Sequence, residues 1–169
     1  MHNVATAPAA ETLPASKPLP RVRLATPADL DGLLEMGREL HRENGLMSLD
    51  EGMIRQAAEG ALLHNRDTFG VIGKPGHLEA MIYLGLRQFW YSKDVHLEEL
   101  LAYVSPNFRK SRNAIALIEF AKASALKLGV PLLIGIISST NTKQKIKLYE
   151  RRIGPMSGAY FLFNGKTCS

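Results

Sequence analysis

Residues 131–138, Pro-Leu-Leu-Ile-Gly-Ile-Ile-Ser, are apolar nearly throughout. A short unbroken apolar run suits a strand covered on both faces, and hence one that pairs with a parallel neighbour. What precedes it tightens the constraint. Residues 95–104 read as a strand, with Glu98, Leu100, Ala102 and Val104 on one face and Glu99, Leu101 and Tyr103 on the other. Between the two runs, Ile115, Ile118, Ala121, Ala125 and Leu128 recur at helical spacing over residues 112–128, and Gly129 supplies a C-cap. Residues 98–137 therefore read as one strand–helix–strand crossover, right-handed by the rule for such units.

The rest of the chain arranges itself around that unit. Val22 and Leu24 alternate with Arg21 and Arg23, as in a half-buried strand. Thr26 before Pro27 is a helix start, and Leu30, Leu33, Leu34, Gly37 and Leu40 follow at helical spacing until Asn44-Gly45. Ser48 and Glu51 are spaced as a capping box for a second helix that runs to about Leu63. Residues 68–91 give two strands joined by Gly73-Lys74-Pro75-Gly76, an antiparallel hairpin signal. A last helix over about 142–152 precedes a Gly-Pro break and a terminal strand at 159–163. The order β-α-α-β-β-β-α-β-α-β predicts an α/β fold with a mixed, mostly antiparallel central sheet and one parallel strand pair. Residues 1–19, rich in Ala and Pro, are expected to be a disordered tail, with a single domain over 20–169.

Composition narrows the partners. The chain has 169 residues, 46% of them apolar, enough for one good core. Its formal charge of +5 favours anionic partners without choosing among them. The one cysteine, Cys168, leaves no internal disulfide and no cysteine-built zinc site, so no metal is expected and the cytoplasm is the simplest home. No apolar run is long enough to span a bilayer, and no signal-peptide pattern opens the sequence.

The chemistry gathers at the end of the first crossover strand. Arg109-Lys110-Ser111-Arg112 puts three cations in four residues at a helix start, where unpaired N–H groups and the helix dipole favour an anion. Ser111 is a candidate N-cap. Asn141 follows the second parallel strand and Tyr149 sits on the next helix, so both flank the same crossover mouth. Glu98 lies on the strand leading in. Each also has a plainer account: a wet basic loop, a helix cap, a core tyrosine, a surface carboxylate.

Together these residues resemble the GCN5-related N-acetyltransferase (GNAT) family over about residues 21–164. The most specific stretch is LLAYVSPNFRKSRNAIALIEFAKASALKLG, similar to the family's acetyl-CoA segment: a strand, Val-x-Pro, then Arg/Gln-x-x-Gly-x-Gly/Ala opening a helix. NTKQKIKLYERRIG is similar to the family's Asn…Leu-Tyr-Glu-Arg-x-Gly-Phe stretch. The resemblance implies helices on both faces of the sheet and a parallel fourth and fifth strand that splay apart. It implies acetyl-CoA as acetyl donor, CoA as product, and direct attack by a primary amine. The diphosphate would rest on backbone N–H groups of Arg109, Lys110, Ser111, Arg112, Asn113 and Ala114. The pantetheine arm would pair with backbone around Tyr103 and Val104, with Asn141 touching it, and the N–H near Val104 would hold the oxyanion. Tyr149 would protonate the leaving thiolate. Glu98, directly or through water, would take the proton of the acceptor amine.

The chain departs from the pattern at three places. Arg112 stands where Gly is common, Asn141 to Tyr149 is one residue longer than usual, and Gly154-Pro155 replaces Gly-Phe. The acceptor, a small molecule or a protein amine, is left open. Trp90-Tyr91 is read as packing on its own helix, with stacking on a ligand or a dimer contact as the alternatives. Two competing readings stand beside the enzyme. One is a non-catalytic interaction protein of the same fold. The other is a basic nucleic-acid-binding module using Arg109–Arg112 and the stripe Lys143, Lys147, Arg151, although no recognised nucleic-acid motif accompanies it.

Overall fold

In the computed structural model, which describes residues 18–138 and 141–161, five strands form one sheet in sequence order. They are β1 (Arg23–Leu24), β2 (Asp67–Lys74), β3 (His77–Gln88), β4 (Val95–Val104) and β5 (Leu132–Ile134). The first three junctions are antiparallel and β4–β5 is parallel. Four helices accompany them: α1 (Leu30–Asn44), α2 (Glu51–Leu62), α3 (Asn113–Leu128) and α4 (Thr142–Arg152).

The helix starts are chemical events that the sequence largely announces. Pro27 opens a short 3-10 turn that feeds α1, and the Thr26 N–H and hydroxyl both donate to the Asp29 carboxylate, at 2.8 and 2.9 Å. At α2 the cap is Asp50, whose carboxylate accepts the Met53 N–H at 3.0 Å; Ser48 lies too far upstream to do so. Gly129 closes α3 at φ 67°, a left-handed turn that glycine adopts without strain.

Two apolar clusters sandwich the sheet. Leu33, Leu34, Met36, Ala58 and Ala61 from α1 and α2 meet Phe69, Val71, Met81 and Tyr103 on one face. Ala116, Leu117, Ala121 and Ala125 from α3 meet Ile72, Ile82, Leu84 and Leu97 on the other. Of the expected inner face of α3, Ile118, Ala121 and Ala125 are buried, Ile115 is half-buried and Leu128 is exposed. Gly70 admits this packing: a Cβ there would lie 2.6 Å from the Phe120 ring.

Three expectations are corrected here. First, β4 does not alternate regularly. Tyr83 pairs with Leu101 but Leu84 with Glu99, so Leu100 is an extra residue, a bulge. Facing changes across it: Leu97 packs in the α3 cluster, and so do Ala102 and Val104, at odd separations from it. Second, β5 stops at Ile134 instead of running to Ser138, and its ladder with β4 ends at Glu99, next to the bulge that breaks the regular register of β4. Third, Ala159–Phe161 of the expected terminal strand are irregular and exposed; its other residues, with Cys168 and residues 1–17 of the expected tail, lie outside the described residues. Elsewhere, Leu24 is exposed while Arg23 turns inward to Asp29. Tyr91 stacks on Phe89 and meets the edge of Trp90, and Trp90 is 96% exposed, so the expected packing of the pair on a helix is not found among the described residues.

Candidate active site

The parting of β4 from β5 creates the site. The two strands pair only at Leu97/Leu132, Glu98/Leu133 and Glu99/Ile134. Beyond them β4 continues to Val104 with its β5-side edge open. The Ser105 N–H donates to the Glu79 carbonyl on β3 at 3.0 Å. Peptide groups alternate along a strand, so those of Tyr103 also face β3, whereas the N–H and C=O of Val104 face the gap. The Val104 carbonyl accepts Arg109 Nε at 3.2 Å, which leaves its N–H pointing into the cleft.

The basic loop lies at the end of that edge. Pro106–Phe108 make a 3-10 turn, and the N–H groups of Arg109 and Ser111 are turned back onto Pro106 and Phe108 carbonyls. Ser111 Oγ accepts the Asn113 N–H at 3.1 Å, while Arg112 is the residue at the N-cap. Among the described residues, the N–H groups of Lys110, Arg112, Ala114 and Ile115 have no backbone acceptor. They form the open positive end of α3. Arg112 has φ −95°, a conformation open to any residue, so the backbone does not demand the glycine that is common there. Asn113 is fully buried, its amide donating to Glu79 at 3.0 Å, so its side chain ties α3 to the sheet.

Arg109 does not face the α3 terminus. Its guanidinium reaches across to Glu43 on α1, at 2.5 and 2.6 Å to the two carboxylate oxygens, and lies over the Tyr103 ring. The Tyr103 hydroxyl donates to Glu43 at 3.0 Å, and Ser105 Oγ donates to Glu39 at 3.2 Å, one turn earlier on α1. Burial works against the Glu43 charge, but Arg109 and Tyr103 hold its carboxyl below the usual range. Burial and the neighbouring Glu43 push the Tyr103 phenol well up.

On the far side, Tyr149 donates to Glu99 Oε2 at 3.1 Å. Glu99 is 8% exposed, and burial raises its carboxyl to about 7 against the lowering effect of the Tyr149 bond and the Lys145 charge. Burial likewise raises Tyr149, helped by Glu99. Glu98, the carboxylate favoured from sequence, lies elsewhere: its partner is His96, 3.6 Å away, and Arg87 is close enough to feel its charge. Asn141 caps α4 in a left-handed conformation at φ 54°, exposed and with no side-chain cap bond. Facing the cleft instead is Lys145, which donates to Ser138 Oγ at 2.6 Å. Sequence reading ranks Glu98 ahead of Glu99, its neighbour on the other face, and does not single out Lys145. The i, i+4 spacing of Lys145 and Tyr149 was the available signal. The stripe Lys143, Lys147 and Arg151 lies on the exposed side of α4. A separate cavity of about 120 Å³ under α1 and α2, lined by Leu33, Ile54, Met81 and Leu101 among others, has an apolar lining and holds none of this chemistry.

The arrangement presents an open strand edge, a helix terminus for an anion, and a buried carboxyl–phenol pair within one crossover. No protein-family model and no curated protein sequence matches the chain. Solved structures do. A "possible acetyltransferase" from Clostridium difficile 630 superposes with a TM-score of 0.67 at 18% identity, covering 90% of this chain and 100% of its own. AAC(6')-Iy, solved with the bisubstrate analogue CoA-S-monomethyl-acetylneamine, gives 0.67 at 15% identity over 88% of this chain and 98% of its own. A ribosomal-protein-alanine N-acetyltransferase from Brucella melitensis biovar Abortus 2308 gives 0.64 at 14%, over 86% and 99%. The shared feature is the fold, a five-stranded mixed sheet with β4 and β5 parallel and helices on both faces.

Proposed function

Proceeding from a chain that has the fold of the GCN5-related N-acetyltransferases, we propose that it transfers an acetyl group from acetyl-CoA to a primary amine. The observation that carries this reading is the Tyr149–Glu99 hydrogen bond at the point where β4 and β5 part. A CoA analogue occupies AAC(6')-Iy, a structure of the same fold. The residues here fit such a donor. The free N–H groups of Lys110, Arg112, Ala114 and Ile115 suit a diphosphate, and the exposed Lys110 side chain adds charge. The open edge at Val104 suits an amide-bearing arm, and its N–H suits the developing oxyanion.

Proton traffic follows from the carboxyl–phenol pair. Ionised Glu99 takes a proton from the acceptor ammonium, directly or through water, and so takes over the role that sequence gave to Glu98. The amine attacks the thioester carbonyl. Tyr149 then gives its proton to the leaving thiolate and recovers one from the now neutral Glu99. A carboxyl near 7 suits this work, since a general base is most effective when its pKa lies near the working pH.

Acetyl-CoA at ~100 times its Kd is expected to stabilise the chain by about 2.7 kcal/mol. For a chain of this size that is a rise in melting temperature of roughly 5–10 °C. No shift at millimolar acetyl-CoA overturns the reading. An acceptor screen with labelled acetyl-CoA then identifies the amine.

A further inference from the structure

Of the three lysines on α4, Lys143 and Lys147 face solvent and Lys145 turns inward. Its Nζ donates to Ser138 Oγ, whose hydroxyl donates to Asn44 at the end of α1. The amine is thus held between α4, the end of the β5 segment and α1, and not left to swing in solvent. Among the described residues no carboxylate lies within ion-pair distance of it. The charged groups that act on it come from three elements: Arg109 from the basic loop, Glu43 from α1 and Glu99 from β4. Lys145 and Tyr149 are one helical turn apart on the same face, so the amine sits beside the Tyr149–Glu99 pair.

An amine placed there differs from a surface lysine in two ways. Burial, with Arg109 adding to it, lowers its affinity for a proton, although Glu43 and Glu99 oppose this. It also occupies the cleft in which the acetyl donor of the proposed reaction lies. Nothing in the transfer chemistry derived above uses it.

We infer that Lys145 Nζ is itself an acetyl acceptor, a self-acetylation site inside the cleft. The inference rests on the acetyl-CoA reading above. The Nζ lone pair attacks the thioester carbonyl carbon, so a C–N bond forms and the C–S bond breaks. The proton lost from nitrogen passes to Glu99. Tyr149 protonates the thiolate and is reprotonated by Glu99. The products are Nε-acetyl-Lys145 and CoA thiol, with no other reactant.

The test is incubation of the full chain with acetyl-CoA and no acceptor, followed by intact-mass measurement and peptide mapping. The expected result is a single acetyl group, located on Lys145, with one thiol released per chain. Labelling of Lys145 should outrun that of Lys143 and Lys147 on the same helix by on the order of 10²-fold, through proximity alone. Lys145→Arg should abolish the thiol burst while keeping the melting temperature and acetyl-CoA binding. Equal labelling of the three lysines, or an unmodified Lys145, overturns the inference. If calorimetry shows acetyl-CoA bound and an acceptor is acetylated while Lys145 stays unmodified, the inference falls and the proposed function stands. If acetyl-CoA does not bind at all, both fall.

Discussion

Glu99→Gln is expected to slow the proposed acetyl transfer by about 10²–10⁴-fold, the range over which positioned general bases act. Glutamine keeps the shape and still accepts the Tyr149 hydroxyl, but it cannot take a proton from the acceptor. The pH profile separates this from a structural effect. In the wild type kcat/KM rises with pH through about 7, as buried Glu99 ionises; in the variant that limb is gone. Tyr149→Phe gives a comparable loss in kcat with acetyl-CoA affinity retained. Because the two side chains share one hydrogen bond, the double variant is expected to lose little more than either single one. Full additivity of the two losses would show that they work independently.

The same carboxyl weighs on stability in the opposite direction. Its folded-state value of about 7 lies above the usual 4.5, so the neutral form is the one the fold prefers. That preference is fully present below 4.5 and is lost as pH rises through 7, a difference of about 3 kcal/mol. Glu99→Gln should therefore melt close to wild type at pH 5 and above it at pH 8. Thermal melts at the two pH values check it. A residue whose removal stabilises the chain while stopping the reaction is what a working site predicts.

Asp29→Ala is expected to destabilise the chain by roughly 3 kcal/mol, a fall of about 6–12 °C in melting temperature. Asp29 is fully buried and receives four hydrogen bonds: two from the Arg23 guanidinium at 2.7 Å, and two from Thr26. Arg23 also donates to the Gly73 carbonyl at 3.1 Å, so one ion pair joins β1, the end of β2 and the turn that starts α1. Alanine leaves the guanidinium and the Thr26 N–H without their acceptor. Asn keeps part of the cap and should cost about half as much. The Arg23 bonds hold the Asp29 carboxyl at about 2, below its usual 3.8. Its contribution is therefore present above 3.8 and lost as pH falls towards 2, about 2 kcal/mol in all. Asp29→Ala should erase that acid-dependent limb of the stability curve, which denaturant titrations at pH 2.5 and 6 would show.

The contrast between these two carboxylates explains what sequence could and could not disclose. Thr26-Pro27, Asp50, Gly129 and the Gly-Lys-Pro-Gly turn are local devices, and local chemistry is written in neighbouring letters. The crossover and its parallel pair were legible for the same reason, from periodicity within each segment. The base was not. Glu98 and Glu99 are equivalent in a period-two reading, and the bulge at Leu100 sits among ordinary strand residues, with no Gly or Pro to announce it. Only the pairing with β3 shows where the count slips. Lys145 was obscured in another way: it stands in a run of cations whose other members face water. Arg109, read as a phosphate ligand from its place in the motif, is turned instead toward Glu43, a residue 66 positions away that no local pattern could nominate.

The slip at Leu100 has a consequence for any attempt to regularise this molecule. Deleting the residue would restore strict alternation and let β5 zip along β4 as far as Val104. The sheet would gain hydrogen bonds and the molecule would lose the seam between β4 and β5. One surplus residue divides the strand into a half paired on both edges and a half with one edge left open.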